Sequence, residues 1–230
     1  MVAANDHSVA PGERTLKRLR LALWIVVPAL ALLAAALFFA FRPADRAGTP
    51  AVTVAETPAA TWAAGAKRAP DIRLRDEHGA QLALASFRGR PVILTFIDPL
   101  CRDYCPTEAK HLNDVANAFP REEKPAIVAV SVNVYGNAAA ILAQDREKWR
   151  LVPQWHWAVG SAPTLARAWR DYHIQVVVSS KRIAGVPVHR IGHTEAAYVI
   201  DRNGFQRALF LWPYAAGGVV ETLKGLRAPS

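Results

Sequence analysis

From about residue 71 onward, apolar positions fall into two rhythms that alternate along the chain. Residues 91–97, PVILTFI, and 126–134, AIVAVSVNV, are nearly unbroken apolar runs, the pattern of strands buried on both faces of a sheet. Between them Ala109, Leu112, Val115 and Phe119 recur at helical spacing, which predicts a helix over 106–119 with those side chains inward. Pro106 suits its first turn, where a missing N–H leaves no bond unmade. The same reading places helices at 137–149, 162–172 and 216–226. It places strands at 155–159, 196–200 and 205–212, with the last two joined by a turn at 201–204. Residues 72–74 and 81–84 flank His78-Gly79 and predict a hairpin. Residues 174–190 begin strand-like but contain Gly185 and Pro187, and read as a strand giving way to a mobile loop.

Strands alternating with helices, with a late hairpin, indicate an α/β domain over residues 71–230, a central mixed sheet flanked by helices. A cysteine pair directly after a buried strand and opening a helix gives that domain a thioredoxin-like arrangement. Ahead of it, residues 21–41, LALWIVVPALALLAAALFFAF, carry no charge and are long enough to span a bilayer as a single transmembrane helix. A cleaved signal peptide has a shorter apolar core, about 7–15 residues, so an uncleaved anchor is the preferred reading. Arg14, Lys17, Arg18 and Arg20 precede the run. They orient residues 1–20 to the cytoplasm and place the domain outside a bacterial plasma membrane. Residues 42–70, rich in Ala, Pro, Thr and Gly, cannot bury a core and read as a flexible tether.

The formal charge of +9 does not change this picture. Basic residues beyond Arg42 are interspersed with acids, so they predict a solvated surface and no nucleic-acid partner. The two cysteines change it more. Cys101 and Cys105, in FIDPLCRDYCP, are the only thiols in the chain, and outside the membrane they can form a disulfide. So short a loop removes little unfolded-state entropy, which argues for chemical use over mere stapling. Cys105 falls where a helix N-cap is expected, and the dipole and free amides there favour a thiolate. Arg102, between the two, is a candidate to hold negative charge.

Two thiolates are too few for a closed structural zinc site. With a third, imidazole ligand they make a copper site, since thiolate favours Cu(I) and imidazole also suits copper. Of the seven histidines, His7 is on the cytoplasmic side, and His156 packs in a Trp-His-Trp strand. His78, His111 and His173 read as surface residues. His189 and His193 remain, in the loop before the strand at 196–200, and spacing alone leaves either open as a ligand.

Three segments resemble the Sco (SenC/PrrC) family of membrane-anchored, thioredoxin-fold copper proteins, a likeness that covers residues 71–226. FRGRPVILTFIDPLCRDYCPTEAKHL is similar to the family's strand, CxxxCP motif and helix. WHWAVGSAPTLARAWRDYHIQV resembles its middle segment, and GHTEAAYVIDRNGF its His-strand-turn segment. The resemblance implies copper as the bound ion, with Cys101, Cys105 and His193 as its ligands. It also implies delivery of copper to the copper-site subunit of cytochrome c oxidase, with a thiol reductant or another copper chaperone as a further partner. In that role the mobile loop lets His193 swing away on release. A thiol–disulfide oxidoreductase using Cys101 and Cys105 as its redox-active pair is the alternative, and a peroxidase-like role stands third. The chain departs from the family pattern at Gly192, where Asp commonly precedes the His. It departs again at Asp98-Pro99-Leu100 before the first Cys, and at Asn133, where an Asp is expected.

Overall fold

The computed structural model describes residue 24 and residues 26–37 and 56–226, and the chain divides into two compact units, Met1–Ala51 and Val52–Ser230. In the first unit residues 26–37 form an exposed helix, α1. Among the described residues no helix is long and apolar enough to cross a membrane. Residues 21–23, 25 and 38–41 of the expected span lie outside the described residues, as do residues 1–20 and 42–55.

The second unit is built on β4 (Val92–Ile97), all of whose residues are buried. Their alternation divides two cores. Val92, Leu94 and Phe96 point to one side, where they meet Leu165 and Ala168 of α4 (Ala162–Asp171). The hairpin β2 (Arg73–Arg75) and β3 (Gln81–Ala83) adds Leu74 and Leu82 to that side. Ile93 and Ile97 point to the other, against α2 (Cys105–Asn117), Leu142 of α3 (Ala139–Lys148), and Val219 and Leu223 of α5 (Ala216–Gly225). β4 is flanked by parallel β5 (Ala126–Ser131) and antiparallel β9 (Ala196–Ile200). With β1 (Ala60–Thr61), β6 (Trp155–Ala158) and β10 (Gln206–Leu211) the six-stranded order is β1-β10-β9-β4-β5-β6. This is the mixed, helix-covered sheet that the apolar runs predict.

Three expectations are corrected. Residues 60–61, assigned to the tether, pair with Leu209 and Ala208 as an edge strand, because the exposed side of β10 supplies the hydrogen bonds that so apolar-poor a segment cannot generate itself. The run after residue 125 stops being a strand at Ser131. Asn133 Oδ1 accepts from the Tyr135 amide at 3.0 Å and turns the chain into a 3-10 turn, Val134–Gly136. Gly136 sits tightly there, since a Cβ would stand 3.0 Å from the Cβ of Pro99.

The third correction is to residues 174–190. No mobile loop follows the strand; β7 (Val176–Ile183) and β8 (Val186–His193) form a hairpin paired from Val176↔His193 to Ile183↔Val186. Ala184 and Gly185 have φ of 48° and 83°, the left-handed pair that a two-residue hairpin turn requires. Pro187 is tolerated because each strand of a two-stranded ribbon has a free edge. His193 therefore closes a strand.

Candidate metal and thiol site

The site lies beyond the C-terminal ends of β4 and β5, where an open sheet with parallel strands offers a crevice. After Ile97 the chain runs through Asp98 and a turn, with the Cys101 amide donating to the Asp98 carbonyl at 3.0 Å. Helix α2 then begins at Cys105, so Cys105 is its first residue and Tyr104 its cap. Tyr104 supplies no side-chain bond to the first turn. Cys101, in the loop, is half-buried; Cys105 beneath it is 1% exposed, and both are free thiols.

The two sulfurs divide the chemistry unequally. A hydrogen bond from the Cys105 thiol, aided by the backbone amides of Cys105, Asp103 and Tyr104, lowers the Cys101 pKa to about 5 against the pull of burial. Donating that bond raises Cys105, and burial and the Cys101 charge raise it further. The thiolate expected at Cys105 thus forms at Cys101. The amides at the helix start act on the sulfur that lies in front of them, not on the buried one. Arg102 does not turn to the thiols. Its guanidinium donates to the carbonyls of Pro99 and Cys101 at 2.9 and 2.8 Å and pairs with the buried Asp145 at 3.4 Å.

His193 arrives from the end of β8. Its Nδ1 lies 3.1 Å from the Thr194 carbonyl, a contact in which Nδ1–H donates and Nε2 is left with its lone pair. Burial lowers its pKa, which favours the neutral, ligating form. Ligand atoms of Cys105, His193 and Glu195 all lie within 4.8 Å of one another. The structure thus brings together two of the three expected ligands, with Cys101 hydrogen-bonded to Cys105 at their side. Two thiols, an imidazole and a carboxylate form a soft-to-borderline donor set that fits copper.

Glu195 was missed in the sequence. Its signal is the i, i+2 spacing from His193 in an extended segment, which sets both side chains on one face. His189 faces the same cavity, of about 560 Å³, that Asp98, Cys101, Asn133, His193 and Glu195 line. Its ring is stacked on Tyr135 at 4.4 Å and its Nδ1 is 2.8 Å from Ser180 Oγ. The other histidines stand elsewhere. His156 packs edge-on against Phe87 and His111 bonds the Tyr214 carbonyl. His7 lies outside the described residues.

Asp98 and Asn133 meet: Asn133 Nδ2 donates to Asp98 Oδ1 at 2.8 Å, and the Leu100 amide donates to the same oxygen at 2.8 Å. Below the thiols, Glu108 is buried on the inner side of α2 and accepts from Thr95 Oγ1 at 2.7 Å and Tyr214 Oη at 3.0 Å. Burial, only partly offset by those two bonds, raises its pKa to about 7.

A model of the AhpC/TSA family matches residues 66–207. By sequence, no curated protein matches the chain. Among solved structures, Bradyrhizobium japonicum ScoI with copper bound is similar with a TM-score of 0.60 and 19% identity, over 69% of this chain and 99% of that one. Apo Sco1 from Thermus thermophilus gives 0.62 and 22%, over 76% and 99%. BsSco, a member of the Sco family of cytochrome c oxidase assembly proteins in which a disulfide switch was identified, gives 0.57 and 16%, over 71% and 95%. At these identities the shared property is the fold.

Proposed function

The chain belongs to the AhpC/TSA family, and from that footing we propose that it is a Sco-type copper carrier that serves assembly of a respiratory cytochrome c oxidase. The observation that carries this reading is the meeting of Cys105 and His193, residues 88 positions apart, with ligand atoms within 4.8 Å. Cys101, Cys105 and His193 would hold copper as cargo, with thiolate softness selecting Cu(I). The similar ScoI structure contains copper, and BsSco belongs to a family of oxidase assembly proteins; both support the reading. The receiving partner is then the copper-site subunit of the oxidase, and a thiol reductant or second copper chaperone keeps or loads the pair. Residues 21–41 anchor the chain, with the domain on the outer side of the plasma membrane, a reading supported by their uninterrupted apolar run and the basic flank before it.

Copper titration of the reduced chain against a competing Cu(I) chelator tests this. One-to-one binding tighter than that of an exposed dithiol, weakened at least tenfold in His193→Ala, is the expected result. Binding that is indifferent to His193 would sink it.

The unequal thiols favour a second reading, a dithiol–disulfide exchanger. The Cys101 thiolate attacks a partner disulfide and releases one partner thiolate. Cys105, once deprotonated, attacks the Cys101 sulfur, which frees the second partner thiolate and leaves a Cys101–Cys105 disulfide. Histidine has no part in this exchange, so His193→Ala should weaken copper retention and spare the exchange rate.

A further inference from the structure

We propose that Glu195 is a fourth donor of this site, engaged when the bound ion is divalent. The inference rests on the copper reading and extends it to a residue outside the Cys-Cys-His set. Two observations carry it. A ligand oxygen of Glu195 lies within 4.8 Å of both the Cys105 sulfur and a ring nitrogen of His193. Its carboxylate is half-buried in the cavity wall and, among the described residues, has neither a hydrogen-bond donor nor an ion-pair partner.

The chemistry separates the oxidation states. Two thiolates and an imidazole already satisfy Cu(I), a soft monovalent ion, and a hard carboxylate adds little to it. Cu(II) takes four-coordinate tetragonal sites and accepts oxygen donors, and a dication offsets a third negative ligand that a monocation does not. Zinc, equally divalent, takes sulfur, nitrogen and carboxylate ligands in a closed set of four. His193 and Glu195 flank Thr194, whose carbonyl lies by His193 Nδ1, so the short extended segment that orients the imidazole also presents the carboxylate. On the other side of His193, Gly192 carries no side-chain donor, and a Cβ there would meet nothing within 4 Å.

The experiment compares the full-length reduced chain with Glu195→Gln, a neutral side chain of the same size, and with His193→Ala. Affinities for Cu(I), Cu(II) and Zn(II) are measured anaerobically by chelator competition, with the electron paramagnetic resonance spectrum of the Cu(II) form. Zinc is included because it cannot oxidise the thiols. Glu195→Gln should lose at least tenfold in Cu(II) and Zn(II) affinity and change the Cu(II) spectrum. Its Cu(I) affinity should stay within about twofold, which also shows that the variant folds. Unchanged divalent affinities with an unchanged spectrum, or an equal loss for Cu(I), overturn the role of Glu195 while leaving the copper reading intact. A wild-type chain that binds Cu(I) no better than an exposed dithiol overturns both.

Discussion

Cys101 and Cys105 are one side chain in two environments. The loop thiol sits in front of amides and a donor; the helix thiol is sealed in the core, keeps its proton and donates a hydrogen bond to the other sulfur. In metal-free, reduced protein, alkylation should therefore modify Cys101 with a pH–rate midpoint near 5, and leave Cys105 untouched at neutral pH until the chain unfolds. Peptide mass spectrometry distinguishes them, and equal labelling of the two would refute the asymmetry. Glu108 makes the opposite prediction for stability. Its folded value of about 7 lies above the ~4.3 of a free glutamate, so the folded protein keeps a proton that the unfolded chain has released. Its contribution is whole below that unfolded value and is lost as pH rises through about 7. Relative to Glu108→Gln, the wild type should lose about 3 kcal/mol of unfolding free energy between pH 4 and 8, read by urea titration across pH. A constant difference between the two proteins would mean that Glu108 does not change charge in that window. Asp98 and Asn133 look like unrelated departures along the chain, yet they are hydrogen-bonded partners. An Asp at 133 would set two carboxylates face to face in a buried place, so the change at one position accounts for the amide at the other.

At the scale of elements, the β7–β8 hairpin is the piece whose form matters most to the site, because β8 ends on His193. Among the described residues it pairs only with itself, and Val177, Val178, Ile183 and Val186 on it are exposed. In its turn the non-glycine Ala184 holds a left-handed φ of 48° and Gly185 one of 83°. Ala184→Asn, a residue that tolerates this conformation, should raise hydrogen-exchange protection of the β7–β8 amides. Gly185→Val should lower it by about 1–2 kcal/mol of local opening free energy while leaving β4 and β5 protected. If neither change alters hairpin protection, the turn does not control it. Helix α2 shows the complementary case. It has no side-chain cap and starts on a buried cysteine followed by proline, and the Cys101 sulfur takes the benefit of the amides at its start.

For the whole molecule, the division into Met1–Ala51 and Val52–Ser230 separates the apolar N-terminal run from the thioredoxin-like unit that carries every proposed ligand. If residues 21–41 anchor the chain, alkaline carbonate should leave the full-length protein in the membrane pellet, and removal of residues 1–51 should release it as soluble protein. Release of the intact chain by carbonate would end the anchor reading. The second unit should unfold in one cooperative transition, since both its cores share β4.

The helices and the strands of the main sheet, apart from β1, were legible in the order of residues, because each buries a face and burial imposes a period. Ala109, Leu112 and Val115 on α2 and the unbroken apolar β4 are the plainest cases. The cysteine spacing likewise points to thiol chemistry, and the His-strand-turn segment to copper through its resemblance to the Sco family. Strands that bury little leave no such period, so residues 60–61 look like tether and only the start of 174–190 looks like a strand, with β8 hidden in what resembles a mobile loop. What only the tertiary structure decided concerns charge and contact between distant residues. It decided which of two identical thiols is the anion, that Asp98 is answered by Asn133, and that Glu195 stands with Cys105 and His193. Burial and the direction of a hydrogen bond are properties of neighbours in space, and a linear pattern holds no record of them.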